Sequence, residues 1–227
     1  MDKKIDSFLF LADLFNKNGY QLFLVGGTVR DYLLGLPLTD MDAVTDATPD
    51  EMKTFIPDGN FTFAKYGNVG YKCNGTKFDL TTLRKEDEYI DSRHPNSVIF
   101  VKDLSIDVRR RDFTINGIYF DRDMKIIDYV GGQNDLRNHL LRMIGDPDKR
   151  IKEDPLRIIR ALRFALDFNL SIDEELETAI KCNSYMLDNL NKDKILQDLK
   201  KIRIDDKDKI RKVFHDYNIK LVLDMLE

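Results

Sequence analysis

The apolar positions along the chain change their period once, near Asp135. Before that point, runs that suit strands alternate with short helical patterns. Ile5, Phe8, Leu9, Ala12 and Phe15 recur at helical spacing and stop at Gly19, which predicts an N-terminal helix. Gln21 to Val25 is an apolar run that ends at Gly26-Gly27 and predicts a buried strand. A short helix over Val29–Leu34 closes at Gly35, and a second apolar strand carries Asp40 and Asp42. Thr48-Pro49-Asp50-Glu51 combines an N-cap, a proline at the first turn and a glutamate three residues on, so a helix starts there. Gly67–Asn74 and Lys77–Leu83 read as a hairpin turned at Asn74-Gly75. Lys85–Asn96 is polar and reads as a loop, and Lys125–Val130 as one more strand before Gly131-Gly132.

After Asp135 only helical patterns remain. Glu153-Asp154-Pro155 opens a helix with Leu156, Ile159, Leu162 and Leu166 on one side, and Ser171 to Glu174 reads as a capping box for the next. Asn191 caps a third, with Ile195, Leu199 and Ile202 aligned, and Lys209–Glu227 continues with Val213, Leu221, Leu223 and Leu226. The expected fold class is therefore α+β: a head over residues 1–135 with a mixed sheet, then an all-helical segment over 136–227.

With 227 residues there is bulk for a real core, and 33% charged residues exclude a membrane-embedded chain, since no apolar run nears the roughly 18 residues a span needs. Acids inside the first apolar stretch make MDKKIDSFLFLADLF a helix rather than a signal peptide. Cys73 and Cys182 have no CxxC partner and read as reduced thiols, which points to the cytoplasm. The net charge of −4 means that any polyanion must be held by a local basic patch. The densest basic run, Lys192 to Lys212, is interleaved with acids and reads equally as a solvated face. His94, His139 and His215 stand isolated, and Phe164, Phe168, Tyr185 and Phe214 read as core.

The carboxylates are the chemical signal. Two residues apart on a strand, Asp40 and Asp42 share a face, and like charges that close call for a cation between them. On KFDLTTLR, Asp79 points opposite to Phe78 and Leu80. Three such acids would suit hard cations on oxygen ligands. The Gly26-Gly27 turn adds backbone that can approach a phosphate.

LVGGTVRD, TDMDAVTDATP, KFDLTTLR, DEYIDSRHP, RRRDFTINGIYFD and IGDPDKRIKEDPLRIIRALRFA, in that order, resemble the successive motifs of class II tRNA nucleotidyltransferases. That family comprises the CCA-adding enzymes and the bacterial poly(A) polymerases. The resemblance implies a polymerase-β-like head and a helical neck. Asp40 and Asp42 would hold Mg²⁺, with Asp79, where the family usually has Glu, as the third catalytic carboxylate. Gly26, Gly27 and Arg30 would sit by the triphosphate. Arg110, Arg111 and Asp112 match the ribose-reading motif, with Asn116 beside it. Asp154 and Arg157 would template the incoming base, joined by Arg160, with Glu153 orienting Arg157. Asp87–Pro95 matches the family's flexible loop, and Gly145-Asp146-Pro147 with Arg150 its hinge.

By this resemblance the chain would add C and A from CTP and ATP to the 3′ end of tRNA, with no obligate protein partner. The alternatives are addition of only C or only A, another RNA 3′ end, or a silent RNA-binding relative. Family members continue beyond the neck into body and tail domains, which a chain ending at Glu227 would lack, whether as a natural short form or a truncation.

Overall fold

The computed structural model describes residues 2–39, 41–86 and 98–225. Asp40 and the expected flexible loop at Asp87–Pro95 lie outside them. The chain forms two compact units, the first ending at Gln133 and the second starting at Asn134.

The first unit opens with α1 (Lys3–Lys17), β1 (Leu22–Val25), α2 (Gly27–Leu33), β2 (Met41–Thr45) and α3 (Pro49–Phe55). The hairpin β3 (Asn68–Cys73) and β4 (Thr76–Thr82) follows, then β5 (Arg84–Glu86), β6 (Val98–Phe100), α4 (Leu104–Asp107), β7 (Ile118–Phe120) and β8 (Ile126–Asp128). Among the described residues, six strands make a mixed sheet in the order β3-β4-β2-β1-β7-β8. Within it β2 and β4 run parallel, and the other neighbours are antiparallel.

Alternation decides what each face does. Met41, Ala43, Phe78, Leu80, Leu22, Leu24, Ile118 and Phe120 turn to one side and pack in a single core with Ile5, Phe8, Leu11 and Phe15 of α1. Burying this face is the main source of stability, at about 1.5–3 kcal/mol for each large side chain. The other side carries Asp42 and Val44 on β2, Asp79 and Thr81 on β4, and Tyr119 on β7. Two local signals hold as read from the sequence. Thr48 and Glu51 close a reciprocal capping box on α3. Asn74 and Gly75 both take positive φ, 50° and 83°, as a two-residue hairpin turn requires.

Elsewhere the pattern misled. The polar stretch read as a loop begins with a strand, since β5 pairs antiparallel with β6. Isolated two- or three-residue strands carry too few alternating positions to register as a period.

In the second unit come α5 (Gly132–Arg137, begun at the end of the first unit), β9 (Leu140–Leu141), α6 (Pro147–Glu153), α7 (Leu156–Phe168) and β10 (Ser171–Ile172). They are followed by α8 (Glu174–Asn183), α9 (Lys192–Leu199), α10 (Lys207–Asp216) and α11 (Lys220–Met225). The unit is not wholly helical, because β9 and β10 form a short parallel pair. Ser171 is drawn into it, so the expected capping box is replaced by Asp173, whose side chain accepts from the Glu175 amide. Leu156, Ile159, Leu162 and Leu166 are buried along α7 as expected. The last helical run is broken into α10 and α11: Ile210, Ile219 and Val222 are buried with the expected Phe214; Val213, Leu221 and Leu223 are half-buried; and Leu226 lies outside the described residues. Phe164 and Phe214 are core residues, but Tyr185 is 63% exposed and is not. Cys73 is buried and Cys182 exposed, and both are free thiols.

Candidate active site

In the first unit the site forms where β1 ends and α2 begins. Gly26 adopts φ 66°, ψ −136°, a conformation that a side chain would strain. Space is short there as well: a Cβ on Gly26 would lie 3.4 Å from Asp42 Oδ2 and 4.0 Å from Arg111 Nη1. On Gly27 it would meet Arg30 Nη2 at 3.4 Å and Asp42 Oδ2 at 3.9 Å. Bare backbone is therefore brought against a carboxylate and two guanidinium groups. Asp42 is fixed to the same corner by its own amide, which donates to Thr28 Oγ1 at 2.8 Å.

Asp79 is the in-register partner of Asp42 across the parallel β2–β4 pair. Paired residues on adjacent strands face the same side. The two acids therefore stand next to each other on the face away from the main core, with Asp79 exposed between buried Phe78 and Leu80. Asp40, the third expected acid, is outside the described residues. Among those residues no group of three His, Cys, Asp or Glu side chains could hold a metal ion. The pair offers oxygen donors only, a set that fits a hard divalent cation once a further acid completes it.

Two buried acids anchor the arginines. Asp31, 3% exposed, accepts from Arg30 Nε at 2.8 Å and Nη2 at 2.6 Å through Oδ1. Arg30 Nη1 donates to Asn116 Oδ1 at 2.8 Å, and Asn116 Nδ2 donates to Asp112 Oδ1 at 3.1 Å. The second anchor is Asp107, which is fully buried. Its Oδ1 accepts from Arg110 Nε at 2.7 Å and from the Arg84 amide at 3.2 Å. Its Oδ2 accepts from Arg111 Nε at 3.1 Å and Tyr119 Oη at 3.2 Å. Burial pushes the Asp107 carboxyl up, but Arg111, then Arg110, and the bonds it accepts outweigh that and hold it below the usual carboxylate range. Burial lowers the Arg111 guanidinium, yet Asp107 more than offsets it, so Arg111 stays charged. Tyr119 is raised, chiefly by burial, and keeps its proton.

Gly132 braces the same corner. A Cβ there would fall 2.0 Å from the Thr114 carbonyl oxygen, so its backbone packs directly on the Thr114–Asn116 turn.

In the second unit, Asp154, Arg157 and Arg160 gather around the α6–α7 junction. Asp154 stands where the sequence predicts a helix start. It lies between α6 and α7 at φ −146°, ψ 95°, since a following proline disfavours helical backbone at the residue before it. Its Oδ1 accepts from the Leu156 amide at 3.1 Å, and its carbonyl accepts from the Arg157 amide at 3.0 Å. Arg157 is 5% exposed. Its Nη1 donates to the Arg150 carbonyl and, at 3.1 Å, to Glu153 Oε2, which also accepts from Arg150 Nη1. Arg160 lies over the Phe164 ring at 5.6 Å and Arg163 over the same ring at 4.6 Å.

Sequence reasoning overlooked Thr28, Asp31, Asp107, Tyr119, Gly132 and Arg163. One clue was available: Asp107, Arg110 and Arg111 have the i, i+3, i+4 spacing of a helical ion-pair cluster.

This fold and this carboxylate-bearing strand pair are of the nucleotidyltransferase class. Residues 22–142, just over half of the chain, match the family model of the Poly A polymerase head domain. The chain belongs to the family of class II CCA-adding enzymes and poly(A) polymerase heads. It is 39% identical over 184 residues to the CCA-adding enzyme of Staphylococcus epidermidis, covering 81% of this chain and 46% of that protein. The Bacillus stearothermophilus CCA-adding enzyme in complex with CTP superposes with a TM-score of 0.87 at 29% identity, over 96% of this chain and 53% of that one. A tRNA nucleotidyltransferase complexed with a primer tRNA and an incoming ATP analogue gives 0.78 at 27% identity, over 94% of this chain and 62% of that one. The chain thus spans about half the length of the curated relatives it matches. No helix among the described residues is long and apolar enough to cross a membrane.

Proposed function

We propose that this protein is an RNA 3′-terminal nucleotidyltransferase that adds CCA, from CTP and ATP, to the 3′ end of tRNA, releasing pyrophosphate. The observation that carries this reading is the in-register pair Asp42–Asp79, set on an open face beside the Gly26-Gly27 backbone and Arg111. Asp40 and Asp42, with Asp79, would hold Mg²⁺. Bound there, it would supply charge neutralisation at the triphosphate and a lowered pKa for the RNA hydroxyl.

The protein's share is positioning and electrostatics, as phosphoryl transfer requires. Gly26 and Gly27 let the triphosphate approach the backbone, and Arg111, kept charged by Asp107, faces its oxygens. Asp112 accepts from a sugar hydroxyl. Asp154 accepts from the exocyclic amine of C or A, while Arg157 donates to the neighbouring ring nitrogen. UTP and GTP present a carbonyl and a protonated nitrogen instead, and both polar groups would be mispaired. Glu153, which already accepts from Arg157, holds that guanidinium for the base.

The test is incubation of the protein with labelled tRNA lacking its CCA, with each nucleoside triphosphate singly and in combination. Stepwise growth by C, C and A supports the reading. Growth by C alone or A alone narrows the reaction to partial addition, and no growth on any RNA 3′ end refutes transfer.

A further inference from the structure

We propose that Asp31, Arg30 and Asn116 form a buried positioning relay that sets the Asp112 carboxylate and thereby selects ribonucleotides over deoxyribonucleotides. The inference rests on the nucleotide site proposed above and assigns Asp31, Arg30 and Asn116 a role through Asp112 rather than at the phosphates.

Donor and acceptor count determines how these three side chains must pair. Arg30, Asp31 and Asn116 are 4%, 3% and 6% exposed, so each polar atom must find its partner inside the protein. Arginine has donors only. With Nε and Nη2 on Asp31, its Nη1 requires an acceptor, and the Asn116 oxygen supplies it. That choice fixes the amide: once Oδ1 faces Arg30, Nδ2 faces Asp112. The Asp112 Oδ1 accepts from this Nδ2 at 3.1 Å and from the Phe113 amide at 2.7 Å. Both bonds fall on one oxygen, which sets the plane of a half-buried carboxylate. A carboxylate so aimed accepts from a sugar hydroxyl, and a sugar without that hydroxyl forfeits this charge-assisted bond. Asp31 lies three groups away from the sugar and acts through the chain between them. The relay also ties α2, which begins at the glycine turn, to the Thr114–Asn116 turn.

Calorimetric binding of CTP and of 2′-deoxy-CTP to the whole protein reads the relay directly, with CTP against UTP as a second ratio. The wild type is expected to prefer CTP over 2′-deoxy-CTP. Asn116→Ala should cut that preference about tenfold, the worth of one hydrogen bond to a charged group, while leaving CTP over UTP unchanged. Asp31→Asn keeps the side-chain shape, guards against a folding failure at position 116, and should act in the same direction by about threefold. Affinities for both sugars that fall together at constant ratio in both variants would overturn the relay, as would a wild type indifferent to the sugar. A wild type that discriminates the sugar but extends no RNA would sink the transferase reading and leave the relay standing.

Discussion

Asp107→Asn keeps the shape of a fully buried side chain and removes the negative charge that Arg110 and Arg111 share. Both arginine side chains are only 14% exposed, so water does little to screen the loss. Removing one partner of a buried ion pair costs about 3–5 kcal/mol. The asparagine oxygen can still accept one hydrogen bond, which returns about 1 kcal/mol. The expected destabilisation at pH 7 is therefore about 2–4 kcal/mol, measured by urea denaturation followed by circular dichroism. The dependence on pH tests the cause. The folded pKa of Asp107 is depressed, so its contribution is complete above the ordinary carboxyl value near 4 and is lost as pH falls through the lower folded value. The variant has no carboxyl at this position to titrate, so the gap between it and wild type should narrow below about pH 4. A loss under about 1 kcal/mol at pH 7, or a gap that stays constant into acid, would refute the anchoring argument.

Asp42→Ala should abolish incorporation of CMP into RNA while shifting stability by no more than about 0.5 kcal/mol, because it opens no core cavity; retained transfer would remove the acid from the chemistry. Gly132→Ala forces the Thr114 carbonyl to move and should lower stability by about 2–3 kcal/mol in thermal melts. Gly70→Ala, whose Cβ would meet nothing closer than 3.6 Å, should melt like wild type and serves as its control. Arg157→Ala should erase the preference for CTP and ATP over UTP and GTP in single-nucleotide assays, by about tenfold or more; an unchanged preference would place base selection elsewhere.

Much of the head could be read from the chain because its strands obey parity. Phe78, Leu80 and Thr82 announce one face of β4, and Asp79 is thereby assigned to the other before any coordinate is known. The capping box at Thr48 and the Asn74-Gly75 turn are equally local, and both stand. What escaped was burial. Asp31 lies beside Arg30 in the chain, and Asp107 three and four residues before Arg110 and Arg111, so both ion pairs are local; only tertiary packing takes them out of water. Asp154 was legible as a helix start: Pro155 keeps it in extended backbone, and its side chain accepts from the Leu156 amide. The break between α10 and α11 was hidden because Tyr217, Asn218 and Ile219 interrupt the helix without a glycine or proline to mark it.

The parallel pairing of β2 with β4 has a consequence for how errors in this protein would look. A slip of one residue along β4 would carry Asp79 inward and Phe78 outward, exchanging a carboxylate for a phenyl ring in the core. Such a molecule would lose the core that holds the sheet together. Folded molecules should therefore share one register at this pair, and a shifted register should appear as loss of the folded fraction.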